Sequence, residues 1–291
     1  MPRHQSLAFL VLGVLSFAGL ISCKPDPTVS SSSIVRQVDH ILIASSDPNA
    51  LFSLLTETFQ LPVAWPMTDY GAFASGGVAM GNCNLEIIKE TERSADNLKS
   101  RWAGFALEPE PLRKSIDQMD SRGIRHGTPS PFRSNFFKTL WTTVGLPDFS
   151  AEGSQVFLCE YTEDPVTRRR LLLEQLQEHD GGPLKVLGIK ELILGARDLK
   201  RIEVRWENLL GRERLASRSG WELPAGPAIV LNQADKDGIL GVLVYVESLE
   251  EVRSYLKEHE LLGAEQPAAI KISGSQLRGL NITLIEKSGG G

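Results

Sequence analysis

VDHILIASSDP, residues 38–48, is an apolar, β-branched run that carries one histidine and leads into an acidic, proline-marked turn. IKELILGARDL, residues 189–199, has nearly the same shape, with Glu191 standing where the first stretch has His40. Two strands of one shape, so far apart in the chain, indicate an internal repeat. If they are echoes, His40 marks a role that the second copy does not share.

Working outward from these stretches, the same pattern recurs four times. An apolar strand meets a short acidic or proline turn, then a helix with apolar residues at helical spacing, then further strands. The first copy runs from VDHILIAS through PNALFSLLTETFQ to NCNLEIIK, and the second from WAGFALEP through PLRKSIDQMDS to SQVFLCEY. The third runs from LGIKELILG through DLKRIEVRWENLL to PAIVLNQ, and the fourth from GVLVYVE through SLEEVRSYLKEHE to LNITLIEK. The spacing predicts an α+β protein of tandem βαβββ units, paired into two curved, bowl-shaped mixed sheets. Two domains are expected, at 35–164 and 186–287, joined by a linker over 165–185.

Side chains alternate across a strand, so each sheet has a helix-covered face and an open one. Alternation sends Ile41, Ile43, Leu85 and Ile87 to the helix side. It sends Val38, His40, Leu42, Asn84, Glu86 and Ile88 to the open side, the inner wall of the bowl.

The N-terminal end differs from the rest. MPRHQS is a short basic start, and LAFLVLGVLSFAGLI is too short to span a bilayer comfortably but suits a signal-peptide core. Leu20-Ile21-Ser22-Cys23 resembles the lipobox of bacterial lipoproteins, which implies a signal peptide over 1–22 and lipidation at Cys23. Residues 23–34, rich in Pro and Ser, then read as a tether. The expected location is the cell envelope, on the outer membrane facing the periplasm. Formal net charge is −5 and charged residues make up 23%, so there is no electrostatic case for nucleic acid. Arg168-Arg169-Arg170 reads as a solvated helix face. Cys83 and Cys159 read as buried thiols, since two cysteines make no disulfide framework.

The residues VDHILIA, LPVAWP, FASGGVAMGNCNLEII, WTTVGLP and VFLCEY resemble the vicinal oxygen chelate superfamily, and most closely its glyoxalase-like domains. The likeness is carried by motifs over 35–164 and by repeated shape over 186–287. In that superfamily a divalent metal sits in the bowl, held from the first and last strands of each paired unit. Position by position, the resemblance implies His40, Glu86 and Glu160 as ligands of Zn, Mn, Ni or Fe, with Glu160 also the candidate catalytic base. The first strand of the second unit, Arg101-Trp102-Ala103-Gly104-Phe105, offers no fourth ligand, a departure from the pattern. The matching positions of the second pair are Glu191, Val230, Gly241 and Thr283, which makes 186–287 a metal-free copy.

Trp65, Tyr70, Phe73 and Trp141 are candidates for an apolar substrate wall, with Asn82, Asn84 and Thr143 as polar positioners. His126 and His179 read as loop and linker histidines. Two functions fit. One is a metal-dependent lyase or isomerase acting on a small oxygen-chelating substrate. The other is a non-catalytic lipoprotein of the same fold that binds a small molecule. The remaining partners expected are the membrane, through the lipid at Cys23, and a second copy as a homodimer.

Overall fold

Strand β1, Val35–Ser45, is the spine of the first half, and the computed structural model builds an eight-stranded sheet around it. The structure describes residues 33–71, 73–90, 100–133, 138–211, 214–216 and 218–287. Asp47 opens α1, Pro48–Ser53, by accepting from the Ala50 N–H, with Pro48 at the first helical position where its missing N–H costs nothing. A π-helical turn over Leu54–Thr58 continues it. Then come β2 (Val63–Asp69), β3 (Ala74–Ala79) and β4 (Asn84–Lys89), followed by β5 (Ser100–Pro109), α2 (Leu112–Ser121), β6 (Ser130–Arg133), β7 (Thr139–Gly145) and β8 (Gln155–Tyr161). The sheet order is β2-β3-β4-β1-β5-β8-β7-β6. β1 lies parallel to β4 and antiparallel to β5, so the first strands of two units meet at the centre. Leu51, Leu55 and Phe59 pack on Ile41, Ile43, Leu85 and Ile87, all at most 2% exposed. Each such side chain contributes roughly 1.5–3 kcal/mol by leaving water.

The second half repeats this plan in a seven-stranded sheet. Its elements are β9 (Val186–Ala196), α4 (Leu199–Leu210), β10 (Gly220–Trp221), β11 (Ala228–Gln233), β12 (Gly238–Val246), α5 (Leu249–Glu258), β13 (Leu262–Gln266), β14 (Ala269–Ile272) and β15 (Ile282–Glu286). Its order is β10-β11-β9-β12-β15-β14-β13. Glu191 pairs with Ala228 as His40 pairs with Asn84, so the two stretches that first suggested a repeat superpose in register.

The repeat reaches the irregularities. β1 and β5 slip register between Val35 and Gln37, between Val38 and His40, and between Leu42 and Ile43. β9 and β12 slip at the equivalent places, beside Leu187, Lys190 and Leu240. Bulges re-aim side chains and are retained as built features of a sheet. The middle slip makes Asp39 an extra residue in β1. Val38 therefore sits opposite Leu107 on the helix side, not beside His40 on the open face as simple alternation predicts.

The segment expected as a linker is largely a helix, α3, Pro165–Glu178, capped by Asp164, which accepts from the Thr167 N–H. It lies against the concave face of the first sheet, where Leu176 packs at Gly81. Asn82 joins the two sheets. Its amide donates to the Ile189 carbonyl at 2.8 Å and its oxygen accepts from the Ile189 N–H at 2.9 Å. Gly188, at φ +142°, leaves room for that side chain.

Candidate functional site

The bulge at Asp39 places two neighbouring side chains on the same face, where a regular strand would oppose them. Asp39 Oδ2 is 2.7 Å from His40 Nδ1, and His40 Nε2 is 3.1 Å from Glu86 Oε2. The imidazole is thus held between two carboxylates, all three on the concave face and all nearly or wholly buried. Burial alone would lower the His40 pKa. The hydrogen bonds and charges of Asp39 and Glu86 outweigh it and raise the pKa to about 9. Burial would likewise raise the Asp39 pKa, but its bond to His40 and the Arg168 charge hold it at about 2. Glu86 is lowered for the same reason, its burial being outweighed by His40.

Arg168 comes from α3. Its guanidinium is ion-paired with Asp39, lies 3.7 Å from Glu108 and sits 3.9 Å over the Tyr161 ring. Arg169 reaches Glu108 at 2.5 Å, and Gln37 donates to the same carboxylate at 2.9 Å. The side chains of Arg168 and Arg169 are 13% and 25% exposed, against 64% for Arg170. The basic run is therefore a solvated face only at its third member, a correction to the sequence reading. Two buried carboxylates, Asp39 and Glu108, hold the other two inward.

Glu160 is elsewhere. It lies on the helix side of β8, where Oε1 accepts from the N–H of Leu112, the first residue of α2, at 2.6 Å. Pro111 precedes that helix and provides no side-chain cap. Glu286 does the same for α5, accepting from the Leu249 N–H at 3.0 Å. Register makes Glu160 equivalent to Glu286, and not to Thr283 as the sequence suggests, because Phe157 pairs with Ala106 as Thr283 pairs with Leu243. The concave positions of β8 go to Phe157, Cys159 and Tyr161. Phe157 meets the His40 ring edge-on at 5.8 Å.

The expected substrate wall divides into two groups. Trp65 lies flat over Gly77, where an added Cβ would stand 2.3 Å from the ring, and its Nε1 donates to Ser75 Oγ at 3.0 Å. Gly77 pairs with Glu86, which puts Trp65 beside the His40 cluster. Tyr70, Phe73 and Trp141 gather instead around Phe132. Trp141 stacks on Phe132 at 4.2 Å, and Tyr70 stacks on Phe73 at 5.1 Å. Tyr70 meets Phe132 edge-on at 5.7 Å, so residues at the two edge strands of the curled sheet touch across its mouth. Asn84 is buried, and its Oδ1 has no partner among the described residues. Thr143 faces Cys159, and its hydroxyl donates weakly to the Ser130 carbonyl at 3.5 Å. His126 lies between Gly127 and Asp120, and His179 bonds the Gln175 carbonyl at the end of α3. Cys83 and Cys159 are free and buried, and burial pushes both thiols up. Cys23 lies outside the described residues.

No protein-family model and no curated protein matches the chain. Solved structures do. A hypothetical protein from Staphylococcus aureus shares 10% identity over 87% of this chain and 100% of its own, with a TM-score of 0.59. A mutant of 4-hydroxymandelate synthase from Streptomyces coelicolor shares 12% over 89% of this chain and 94% of its own, at 0.58. Homoprotocatechuate 2,3-dioxygenase from Arthrobacter globiformis shares 12% over 88% of this chain and 80% of its own, at 0.55. This is the vicinal oxygen chelate fold.

A vicinal oxygen chelate metal centre needs donors converging from both units of a pair. Here His40 Nε2 and Glu86 Oε2 are close enough to share an ion, and Asp39 on Nδ1 is the outer partner a ligating histidine usually has. Both donors come from the first unit. The second unit provides Phe157, Cys159 and Tyr161 on the concave face, where burial pushes the thiol and the phenol up and so disfavours their anionic, metal-binding forms, and its carboxylate caps a helix on the other. Two donors fall short of the three or four protein ligands of a transition-metal site. Among the described residues no three His, Cys, Asp or Glu side chains are grouped to hold an ion. The cation that does meet the cluster is the Arg168 guanidinium. The residues do not fit the metal centre that the resemblance implies.

Proposed function

We propose that this chain is a non-catalytic small-molecule-binding protein of the vicinal oxygen chelate fold. In this reading an internal ion-pair network stands in its first bowl where relatives would carry a catalytic metal. The observation that supports it best is the double use of one device. Glu160 and Glu286 cap α2 and α5 in the same way, so the third carboxylate of the expected metal set has a structural role in both sheets. Arg168 supports it from the other side. A guanidinium is always charged, and it neutralises Asp39 without any bound ion.

The test is metal content by mass spectrometry on the full chain after exposure to Mn, Zn, Ni and Fe(II), beside His40→Ala. The expected result is far less than one ion per chain in both proteins. A stoichiometric ion lost in His40→Ala would overturn the reading and restore a metal-dependent lyase or isomerase.

The lipoprotein address is part of the same proposal and rests on the sequence of residues 1–23. None of the described helices is long and apolar enough to cross a membrane. Labelled palmitate should enter the full chain in a bacterial host and be lost in Cys23→Ser.

A further inference from the structure

The sheet that lacks the histidine holds a cleft of its own. Lys190, Glu191, Arg218, Glu222, Ala228 and Tyr245 line a space of about 260 Å³ on its concave face, to which no helix contributes a lining residue. The bulge at Lys190 repeats the one at Asp39, so again two neighbouring side chains enter one bowl. Lys190 Nζ lies 3.3 Å from Glu191 Oε1, and Arg218 is ion-paired with the same oxygen.

Glu191 is 1% exposed, and both cations converge on Oε1. Oε2 is buried without a hydrogen-bond partner among the described residues. A buried carboxylate oxygen left unpaired is costly, and a donor on a ligand seated among these lining residues would recover that cost. Lys190 and Arg218 remain 33% and 42% exposed, so their other N–H groups are available toward the cleft. Tyr245 forms an amphipathic wall, with Lys190 at 5.4 Å and Lys287 at 6.0 Å from its ring.

We propose that this cleft binds a small carboxylate that also bears a hydrogen-bond donor near it, either a hydroxy acid or an α-amino acid. The carboxylate meets Arg218 and Lys190, where a planar guanidinium suits two-point recognition. The donor, a hydroxyl or an ammonium, meets Glu191 Oε2. The carbon body lies between Tyr245 and Ala228. This deepens the binding function proposed above and rests on it. It also reverses the expectation from sequence, because the copy without the metal-type histidine becomes the receiving one.

Isothermal titration of the full chain with L-lactate, D-gluconate, L-alanine and L-glutamate, with propionate as the donor-free comparison, tests this. At least one of the four is expected to bind, with propionate about tenfold weaker or more. Glu191→Gln and Arg218→Gln should each weaken binding at least about tenfold. If Glu191→Gln fails to fold, Arg218→Gln on the exposed rim carries the test. Binding by hydroxy acids alone or by amino acids alone supports the site and fixes its donor. No binding by any probe, or binding that survives both substitutions, overturns it. Metal content on the same preparation reads the non-catalytic proposal separately, since an ion bound at His40 leaves these titrations unchanged.

Discussion

Arg168 and Asp39 are ion-paired across 129 residues of chain, the one on the helix that follows the second unit and the other in the first strand of the first. That pair ties α3 to the concave face and sets the charge state of everything next to it. Asp39 is 2% exposed, so it depends on Arg168 and His40 for its stability as an anion.

Replacing Arg168 should therefore be severe. Arg168→Leu leaves a buried carboxylate short of a partner, and the loss is expected to be about 3–5 kcal/mol in urea unfolding. Arg170→Ala, on the solvated side of the same run, should change stability by less than about 0.5 kcal/mol. Equal effects from the two would sink the assignment of Arg168 to the interior.

Stability should also depend on pH with a definite sign. The folded His40 pKa, about 9, lies above its ordinary value of 6.5. Its contribution is complete below pH 6.5 and is lost as pH rises through 9. Asp39 is depressed from 3.8 to about 2, so its contribution is present above 3.8 and is lost as pH falls through 2. Urea midpoints at pH 6 and pH 9.5 should differ in the wild type and converge in His40→Gln. A wild-type midpoint that stays flat over this range would rule out a protonated His40.

Much of this architecture could be read from the sequence. The repeat gave the units, their pairing and the equivalence of His40 with Glu191, because β-branched runs and helical spacing report local geometry directly. Bulges were not legible. Asp39 and Lys190 look like residues on the far face, since alternation is the only rule a single strand carries. Glu160 failed for a related reason. A carboxylate on the last strand suits a ligand or a cap equally well, and only the register of β8 against β7 and β5 gives its side. Arg168 was missed because a triple-arginine run has the composition of a surface. Its inward turn depends on two carboxylates, Asp39 and Glu108, far earlier in the chain.

The capping role of Glu160 makes a separable prediction. Glu160→Ala should cost about 1 kcal/mol in thermal unfolding, as should Glu286→Ala at the equivalent place. Glu160→Gln keeps an acceptor for the Leu112 N–H and should cost less. An unaffected Glu160→Ala would show that the Leu112 bond contributes nothing to stability.

Asn82 offers the most direct test of how the two sheets are joined. Its side-chain amide imitates a strand backbone, donating to and accepting from Ile189. Asn82→Ala removes both bonds and leaves a β9 N–H and carbonyl unpaired at the start of the second sheet, for an expected loss of about 2 kcal/mol. Asn82→Asp keeps the acceptor but replaces the donor with a carboxylate oxygen facing the Ile189 carbonyl, so it should be at least as damaging. Hydrogen exchange at Ile189 reads the contact itself. Its amide should lose protection in Asn82→Ala and keep it in Asn82→Asp. Protection that persists in Asn82→Ala would mean that β9 is held by the pairing with β11 and β12 alone, and that Asn82 does not fasten the sheets together.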